Sequence, residues 1–345
     1  MSAAAIETRS LRKVFSASAA ARARGAPGGG MGTMMLVLAP TPGTAAAPTA
    51  VVAIDSLDLT VGEGEFFGLL GPNGAGKTTT IGILTTRVRP TAGEAVVAGK
   101  NVVTEPSAVR RRIGVVPQRP NPDRGLTVIE NLVFHASYFG VARAEASRRA
   151  AQLLERLGIA DRRDAKVDQL SGGQQQRLMI ARALTHEPRV IFLDEPTVGL
   201  DPQGRLGMWE ILRELHAQGR TIVMTTHYME EADQLCDRLA IVDQGKLLAL
   251  DTPSRLKAQA PGETIVDVTF DGDAGAVAET ARAIDGVSKP EARGPLLRVY
   301  SGRGGEIIPA IIAAGEAHGR AVRDIHLSRP SLETLFISLT GRKLA

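Results

Sequence analysis

Short apolar segments alternate with segments of helical periodicity along most of the chain before residue 250. Residues 66–70 and 190–193 are almost entirely apolar, which is typical of strands covered on both faces, as in a parallel sheet. Leu57, Leu59 and Val61 instead alternate with polar residues, which predicts a half-buried strand. The pattern therefore predicts an α/β fold built around a parallel sheet.

The same pattern predicts further strands and helices. Strands are expected at residues 6–15, 51–61, 94–98, 113–118, 221–226, 238–242 and 246–250, with a turn at 243–245 joining the last two. Helices are expected at residues 79–84, across 126–165, after Ser171 and at 203–218. These elements account for the α/β part of the chain.

Residues 16–50 depart from this pattern. They consist mostly of Ala, Gly, Pro, Ser and Thr, contain no acidic residue, and carry only Arg22 and Arg24 as charges. Such a composition cannot bury enough apolar surface to offset the entropy lost on ordering. We therefore predict that this insertion is a disordered linker, with one apolar patch at residues 34–38.

A small α+β unit is predicted after the composition changes near Ala260, Pro261 and Gly262. Its strands are expected at residues 264–270, 296–300 and 321–327, and its helices at 274–284, 306–317 and 331–340. The unit is close to the smallest size that folds alone. We therefore expect two domains, at residues 1–255 and 262–345.

The composition limits the classes of function. Of the 345 residues, 43% are hydrophobic, but no apolar segment reaches the roughly 18 residues of a membrane span, and no secretory signal is visible. The single cysteine, Cys236, excludes internal disulfides and cysteine-based zinc sites. The net charge is +4, yet the 41 basic and 37 acidic residues are interspersed and aromatics make up only 3%. We therefore expect no nucleic-acid partner.

A glycine-rich segment that matches the pattern G-x-x-x-x-G-K-[ST] follows the strand at 66–70. It comprises Gly71, Pro72, Asn73, Gly74, Ala75, Gly76, Lys77, Thr78 and Thr79. Between a strand and a helix, such glycines let backbone N–H groups and the helix N-terminus bind phosphate oxygens. Lys77 is expected to reach the β- and γ-phosphates, and the Thr78 hydroxyl to bind Mg²⁺. The segment predicts binding of a nucleoside triphosphate.

Two acidic residues, Asp194 and Glu195, close the apolar strand at 190–193. The Asp194 carboxylate is expected to meet the Mg²⁺ held by Thr78. A second carboxylate at the same strand end suits a residue that orients or deprotonates the attacking water, and we predict this role for Glu195. A solvated strand end would explain an isolated acidic pair, but the glycine-rich loop in the same chain favours the metal site.

A second anion site is predicted at Leu-Ser-Gly-Gly-Gln-Gln-Gln-Arg, residues 170–177, here called the LSGGQ segment. Ser171 is a good N-cap, and Gly172 and Gly173 expose backbone N–H groups at the start of a helix. The glycine-rich loop already surrounds the phosphates of one nucleotide. The second site is therefore best used on a nucleotide held by another chain, which predicts that the protein works as a pair.

Taken together, these motifs resemble those of the ATP-binding subunit of ABC transporters. The resemblance rests on the glycine-rich loop, the LSGGQ segment, Gln118, Asp194, Glu195, the segment 199–201 and His227, which follow the family's order up to about residue 250. It implies a P-loop core with a parallel sheet, an antiparallel β subdomain, and a helical subdomain at about 124–168 that docks on a membrane partner. It also implies that the bound nucleotide is ATP with Mg²⁺.

The resemblance implies roles for the residues that bind ATP. Phe15 stands where the family has an aromatic residue that stacks on adenine, although the insertion at 16–50 is a departure from the family's usual spacing. Gln118 would contact Mg²⁺ and water and sense the permease. The segment containing Ser171, Gly172, Gly173 and Gln174 would bind the γ-phosphate of the partner's ATP, chiefly through Ser171 and Gly173.

Catalytic roles are also implied. Glu195 would be the catalytic carboxylate, and His227 would hold the γ-phosphate and the attacking water in line. Asp201 would bridge the two protomers. The resemblance thus implies an enzyme that hydrolyses ATP to ADP and phosphate.

Further segments are similar to the drug and Nod-factor exporter branch of the family. These are residues 126–132 and 138–140, and, near the C-terminus, 329–336 and 339–342. In that branch a separate permease subunit carries the membrane helices, and the C-terminal unit is linked to dimer contacts or regulation. The resemblance implies a homodimeric ATPase at the cytoplasmic face of a bacterial-type membrane that powers export of a drug, lipid or glycolipid-like cargo.

Other functions remain as alternatives. A non-transport ABC ATPase of the ribosome-associated or DNA-repair type usually carries two tandem cassettes or a long coiled-coil insertion, and neither is present in this sequence. A regulatory switch that binds ATP without hydrolysing it would not need Glu195 and His227. A GTPase or a small-molecule kinase would lack the LSGGQ segment.

Overall fold

The computed structural model describes residues 4–16, 50–260, 264–328 and 330–340. Apart from Ser16 and Ala50, the insertion at 16–50 lies outside the described residues, and so do Arg329 and residues 341–345 near the C-terminus. The chain divides into two units, one up to Pro253 and one from Ser254.

The strands of the first unit form two sheets. In chain order they are β1 (Ala4–Phe15), β2 (Val51–Gly62), β3 (Phe66–Leu70), β4 (Ala92–Val97), β5 (Lys100–Asn101), β6 (Ile113–Val116), β7 (Val190–Asp194), β8 (Thr221–Thr226), β9 (Arg238–Asp243) and β10 (Lys246–Asp251). The larger sheet has the order β10-β9-β3-β8-β7-β6, and the smaller has β2-β1-β4-β5. Neighbours from β9 to β6 are parallel, whereas the smaller sheet is antiparallel. The predicted parallel core and antiparallel β subdomain are confirmed.

The parallel strands bring several chain segments to one edge of the sheet. Strands β3, β7 and β8 are buried along their whole length, as the nearly continuous apolar composition of β3 and β7 predicts. Strand β6 ends at Val116 rather than at residue 118, because Pro117 has no N–H group to donate to the ladder. The residues that follow β3, β7 and β8 therefore meet at the carboxyl edge of the sheet.

Helices connect these strands, and one further helix follows β10 where the second unit begins. In chain order they are α1 (Lys77–Leu84), α2 (Pro106–Arg110), α3 (Val128–Tyr138), α4 (Arg143–Arg156), α5 (Gly172–Leu184), α6 (Pro202–Ala217), α7 (Met229–Leu235) and α8 (Pro253–Gln259). The sequence pattern missed α2, α7 and α8, because helices of 5 to 7 residues show too few turns to establish a period. None of the helices in the described part of the chain has the length and apolar content needed to cross a bilayer.

The helical stretch predicted at 126–165 consists mainly of α3 and α4. The two are separated at Gly140, which has a φ of 78°. Helix α3 begins at Val128 because Thr127 and Glu130 form a capping box, in which each side chain accepts a hydrogen bond from the other's backbone N–H. A β-bridge between Thr127 and Lys166 joins the two ends of this region.

The second unit is a four-stranded antiparallel sheet with helices. Its elements are β11 (Thr264–Phe270), α9 (Gly275–Ala281), β12 (Val287–Arg293), β13 (Leu296–Ser301), α10 (Ile308–Ala317), β14 (Val322–Ser328) and α11 (Leu332–Thr340). The sheet order is β12-β13-β11-β14, and buried residues of β11, β13, α9 and α10 form one core. The predicted α+β character is confirmed. The sequence pattern missed β12, since this edge strand is mostly polar and partly exposed.

Candidate functional site

The glycine-rich loop joins β3 to α1 at the carboxyl edge of the larger sheet. Gly71 follows β3 directly, and its N–H donates to the carbonyl oxygen of Thr226, the last residue of β8 (3.3 Å). A Cβ atom on Gly71 would lie 2.2 Å from the carbonyl oxygen of Val242, and one on Gly76 would lie 2.4 Å from that of Ala53. Any side chain at these two positions would displace backbone, so the packing of this chain itself requires both glycines.

Helix α1 begins directly after this loop. Its N-cap residue, Gly76, has a φ of 102°, and no side chain in the described part of the chain caps the helix. The first amides of a helix have no intrahelical acceptor, and with the helix dipole they attract anions. Lys77, Thr78 and Thr79 form this first turn. The loop therefore has the form that phosphate binding requires.

Lys77 is held in the loop by three oxygen atoms. Its Nζ donates to the carbonyl oxygens of Gly71 (2.6 Å) and Pro72 (3.2 Å). It also lies 3.1 Å from Oε1 of Glu195, in an ion pair whose two side chains are only 4% and 5% exposed. The predicted phosphate-binding ammonium and the predicted catalytic carboxylate are therefore in direct contact.

Asp194 ends β7 with its carboxylate beside two hydroxyl groups. Its Oδ1 accepts hydrogen bonds from the hydroxyls of Thr225 (2.6 Å) and Thr78 (3.2 Å). Burial raises the pKa of Asp194 above its ordinary value, although the bonds from Thr225 and Thr78 oppose the shift. A divalent cation would stabilise the charge that burial disfavours, and Mg²⁺ prefers such oxygen ligands. These residues therefore fit Mg²⁺.

Thr225 was not singled out by the sequence analysis. Its hydroxyl contacts Asp194, and both its Oγ1 (3.0 Å) and its carbonyl oxygen (3.1 Å) accept the N–H of Glu195. The ladder between β7 and β8 pairs Thr225 directly with Asp194. The only sequence feature that could have pointed to Thr225 is the pair of hydroxyl residues, Thr225 and Thr226, directly before His227.

Glu195 connects three of the predicted site residues. Its Oε2 accepts a hydrogen bond from Nε2 of Gln118 (2.9 Å), and its Oε1 lies 3.1 Å from Nζ of Lys77 and 3.4 Å from Nδ1 of His227. Burial raises the pKa of Glu195, but Lys77, Gln118 and His227 together lower it below its ordinary value. The carboxylate is therefore ionised at neutral pH.

The backbone of Glu195 adopts an uncommon conformation. Its φ is 50°, which is rare for a residue with a side chain and is concentrated at functional sites. The chain turns away from β7 at this residue, since the N–H of Glu195 bonds to Thr225 instead of continuing the ladder. The conformation directs the carboxylate toward Lys77 and Gln118.

A cavity of about 340 Å³ lies against the glycine-rich loop. Ten of the predicted site residues line it: Phe15, Pro72, Asn73, Gly74, Gly76, Lys77, Thr78, Thr79, Gln118 and Glu195. Gly71 and Ala75 are buried within the loop. The structure thus brings most of the residues predicted to bind ATP to one cavity.

Phe15 reaches this cavity through the pairing of β1 with β2. It is the cross-strand partner of Val51, so the insertion that separates the two in sequence does not separate them in space. Val51, Val52 and Ala53 line the cavity beside it, although the sequence did not mark them as site residues. The only sequence feature that could have pointed to these three residues is their place at the start of the strand that follows the insertion. This part of the cavity offers apolar surface to a planar base.

Ser171 and Asp201 do not line this cavity. Ser171 caps α5 in a reciprocal capping box: its Oγ accepts the N–H of Gln174 (3.3 Å), and Oε1 of Gln174 accepts the N–H of Ser171 (2.9 Å). Asp201 caps α6 by accepting the N–H of Gly204 (2.6 Å). Both capping residues are exposed. Within one chain, neither helix start contributes to the cavity at the loop.

The two glycines of the LSGGQ segment differ from those of the glycine-rich loop. Apart from the adjoining residues and the helix's own backbone, a Cβ atom on Gly172 or Gly173 would meet no heavy atom of the described residues within 4 Å. Both residues lie in the first turn of α5, where alanine favours the helix over glycine by up to about 1 kcal/mol. Nothing in this chain therefore requires glycine at either position.

Comparison with known proteins agrees with this geometry. Residues 54–198 match the family described as ABC transporter. The chain is 36% identical to the linearmycin resistance ATP-binding protein of Bacillus subtilis, covering 84% of this chain and 94% of that protein. It is 40% identical to a Nod factor export ATP-binding protein of Cupriavidus metallidurans (85% and 94%) and 42% identical to a daunorubicin resistance ATP-binding protein of Streptomyces coeruleorubidus (84% and 91%).

Solved structures also resemble it. A dimeric ATP-binding cassette in a post-hydrolysis state, bound to ADP and Pi, superposes with a TM-score of 0.58 at 26% identity, covering 72% of this chain and 98% of that one. The ATP-binding subunit of an ABC transporter superposes with a TM-score of 0.58 at 27% identity, covering 74% and 92%.

Proposed function

The chain belongs to the family of ABC transporter ATP-binding proteins, and we propose that it hydrolyses ATP between two copies of itself to drive export through a separate permease. The main support is the contact of Lys77 with Glu195 at one cavity. The LSGGQ segment adds to it, because the packing of this chain does not itself require glycine at residues 172 and 173. Relatives named for daunorubicin and linearmycin resistance and for Nod factor export support a cargo of drug or Nod-factor type.

The residues at the cavity divide the work of hydrolysis. Thr78, Asp194 and Gln118 would hold Mg²⁺, whose charge offsets that of the β- and γ-phosphates. When ATP enters, phosphate oxygens replace Glu195 as the partner of Lys77. Glu195 is then free to accept a proton from the attacking water. Its contact with His227 supports a role for that imidazole in holding the water and the γ-phosphate in line.

A second copy of the chain would complete the site. The exposed start of α5 carries backbone N–H groups that suit an anion, and the open space at Gly172 and Gly173 allows a phosphate to approach the backbone closely. In a two-fold pair, each chain would offer its LSGGQ segment to the ATP on its partner's loop. Ser171 and Asp201, the capping residues that lie outside the cavity of their own chain, would then face the partner.

A second cavity of about 550 Å³ supports docking of the permease. It shares Thr78, Gln118 and Asp194 with the catalytic site, and its cationic lining consists of Arg87, Arg110, Arg119 and Arg182. Burial, with smaller effects of Arg182 and His186, lowers the pKa of His135 in this lining to about 3, so that imidazole is neutral. A permease segment with acidic residues would complement the arginines, and Gln118 would transmit its position to Glu195. Such docking would hold the chain at the cytoplasmic face of the membrane.

Affinity purification of the tagged chain from membranes of its own host tests the transport role. We expect an integral membrane protein to co-purify and to be lost when Arg119 is replaced by glutamate, with ATP hydrolysis by the isolated chain retained. The matched control is Arg9→Glu, a reversal at an arginine of β1 whose side chain is 70% exposed and which lies outside both this cavity and the helical subdomain. A chain that hydrolyses ATP but never retains a membrane protein would instead be a non-transport ATPase.

A further inference from the structure

One buried carboxyl group joins the three chain segments that carry Glu195, Asp201 and His227. Glu231 lies on α7 and is 0% exposed. Its Oε1 accepts hydrogen bonds from the hydroxyl of Thr197 (2.9 Å) and from the indole Nε1 of Trp209 (3.2 Å). Thr197 and Trp209 are themselves buried, with 2% and 4% exposed. The three residues form a cluster, here called the Glu231 cluster, that is closed to solvent.

Each member of the Glu231 cluster is close in sequence to a proposed site residue. Thr197 is two residues after Glu195, and Glu231 is four residues after His227. Trp209 lies on α6, the helix that Asp201 caps. The backbone bond from Leu200 to Thr197 is internal to the loop between Glu195 and Asp201. The hydroxyl bond from Thr197 to Glu231 therefore anchors that loop to the helix behind His227.

Arg205 provides a second link between α6 and the start of α7. Its guanidinium carbon lies 5.7 Å from the ring centroid of Trp209 and 5.6 Å from that of Tyr228, within the range of cation–π attraction. Tyr228 precedes α7, and its ring lies 4.2 Å from the ring of His227. The imidazole is therefore connected to α6 through packed side chains.

Stability alone does not explain a carboxyl group at this position. Burial raises the pKa of Glu231, and the neighbouring polar groups of Thr226, Thr197 and Trp209 reverse this only in part. Replacing buried ionisable groups by well-packed apolar ones is often neutral or stabilising. A leucine could fill much of the same volume, but it could not accept two hydrogen bonds. The acceptor function is therefore the property that distinguishes Glu231 from an apolar core residue.

We propose that Glu231 is a positioning residue for ATP hydrolysis, which keeps the loop from Glu195 to Asp201 in a fixed relation to His227. The inference rests on the proposed function, because the positioned residues are those proposed to hydrolyse ATP. Glu231 contacts neither ATP nor water in this role. Loss of its two hydrogen bonds lets the loop shift, and a displacement of about 1 Å at a reacting group can lower a rate about a hundredfold.

The test compares Glu231→Leu, which removes the acceptor, with Glu231→Gln, which keeps a carbonyl oxygen for both donors. The readouts are kcat, the dissociation constant for ATP, and the emission of Trp209, the only tryptophan in the chain. We expect Glu231→Leu to lower kcat by at least about tenfold with little change in ATP affinity, and Glu231→Gln to stay within about threefold of wild type. The Trp209 emission should shift in Glu231→Leu and remain close to wild type in Glu231→Gln. Glu214→Leu, at an exposed position of α6, is the control and should change none of the three.

The outcomes separate this inference from the proposed function. Wild-type protein without ATPase activity would contradict the proposed function itself. Active wild type, with full kcat in a folded Glu231→Leu variant, would overturn the positioning role alone. If Glu231→Leu does not fold, Thr197→Val decides, since it removes one donor at nearly constant shape. A kcat loss in Thr197→Val at unchanged ATP affinity supports the proposal, and wild-type kcat contradicts it.

Discussion

Lys77 and Glu195 form a buried ion pair, with 3.1 Å between Nζ and Oε1. The sequence assigns them opposite tasks, since Lys77 is expected to hold phosphate and Glu195 to activate water. In the structure each neutralises the other, and Gln118 donates to the second carboxylate oxygen. Binding of ATP must therefore replace one anion at Lys77 by another. This exchange couples nucleotide binding to release of the catalytic carboxylate.

Replacing Glu195 by glutamine should separate binding from hydrolysis. Glutamine has nearly the same shape but cannot accept the proton, so we expect hydrolysis to fall by about 10²–10⁴-fold. ATP affinity should rise, because Lys77 loses the anion with which phosphate competes. The measurements are phosphate release and equilibrium ATP binding, with size-exclusion chromatography to detect an ATP-trapped dimer. Normal turnover by Glu195→Gln would remove Glu195 from its proposed role.

Replacing Asp194 by asparagine should stabilise the nucleotide-free protein. Burial raises the pKa of Asp194 above its unfolded value, so its ionised form weakens the fold at pH values above the folded pKa. This cost disappears as the pH falls through that pKa and the group is protonated. In the presence of a chelator, the Tm of Asp194→Asn should exceed that of wild type at neutral and alkaline pH, by roughly 2–4 °C per kcal/mol relieved. The difference should close on acidification.

Asp164→Asn is the control for this measurement. Its side chain is 81% exposed, so the substitution should leave the Tm unchanged across the pH range. Asp194→Asn should also lose ATP hydrolysis, because the proposed Mg²⁺ ligand is gone. A Tm below wild type at every pH would show that the Asp194 carboxylate stabilises the nucleotide-free fold, contrary to the direction expected from its burial.

Much of the site could be predicted because local sequence determines it. The apolar strands that became β3 and β7 end at the glycine-rich loop and at Asp194, and parallel pairing brings such ends together. The cap at Ser171 was equally local, since its capping box involves Gln174, three positions further on. These features need no knowledge of how distant segments pack.

The rest depends on register and packing between distant segments. Thr225 contacts Asp194 only because of the pairing register of β7 with β8. Val51 lines the cavity only because β1 and β2 pair across the insertion. The Lys77–Glu195 pair follows from the left-handed backbone at Glu195, which the sequence does not indicate. Strand β12 was missed because its edge position removes the apolar alternation that marks a half-buried strand.

The insertion should be dispensable for ATP binding. Phe15 and Val51 are direct partners in the antiparallel ladder, so the two-residue turn Asn-Gly can join them in place of residues 16–50. We expect this variant to keep the wild-type Tm and ATP affinity, as measured by thermal unfolding and nucleotide titration. Phe15→Ala in the same background is the matched comparison and should weaken ATP binding, because it removes a ring from the cavity wall. A shortened chain that fails to fold would show that the insertion packs.

The central claim is that the LSGGQ segment of one chain acts on the ATP held by another. Gly173→Asp tests it with little expected disturbance of the monomer, because a Cβ atom at this position meets nothing within 4 Å apart from its chain neighbours and its own helix backbone, and an acid in the first turn suits the helix dipole. The same charge would repel a partner's γ-phosphate. Alone, Gly173→Asp and Glu195→Gln should each be nearly inactive.

Mixing these two variants before ATP is added gives the most direct measurement. In a mixed pair, one site combines both substitutions, and the other combines an unchanged Glu195 with an unchanged LSGGQ segment. About half of the pairs in an equimolar mixture are mixed, and each has one intact site of its two. ATPase activity should therefore return to about a quarter of wild type. Activity that stays at the average of the two separate variants would contradict a site shared between chains.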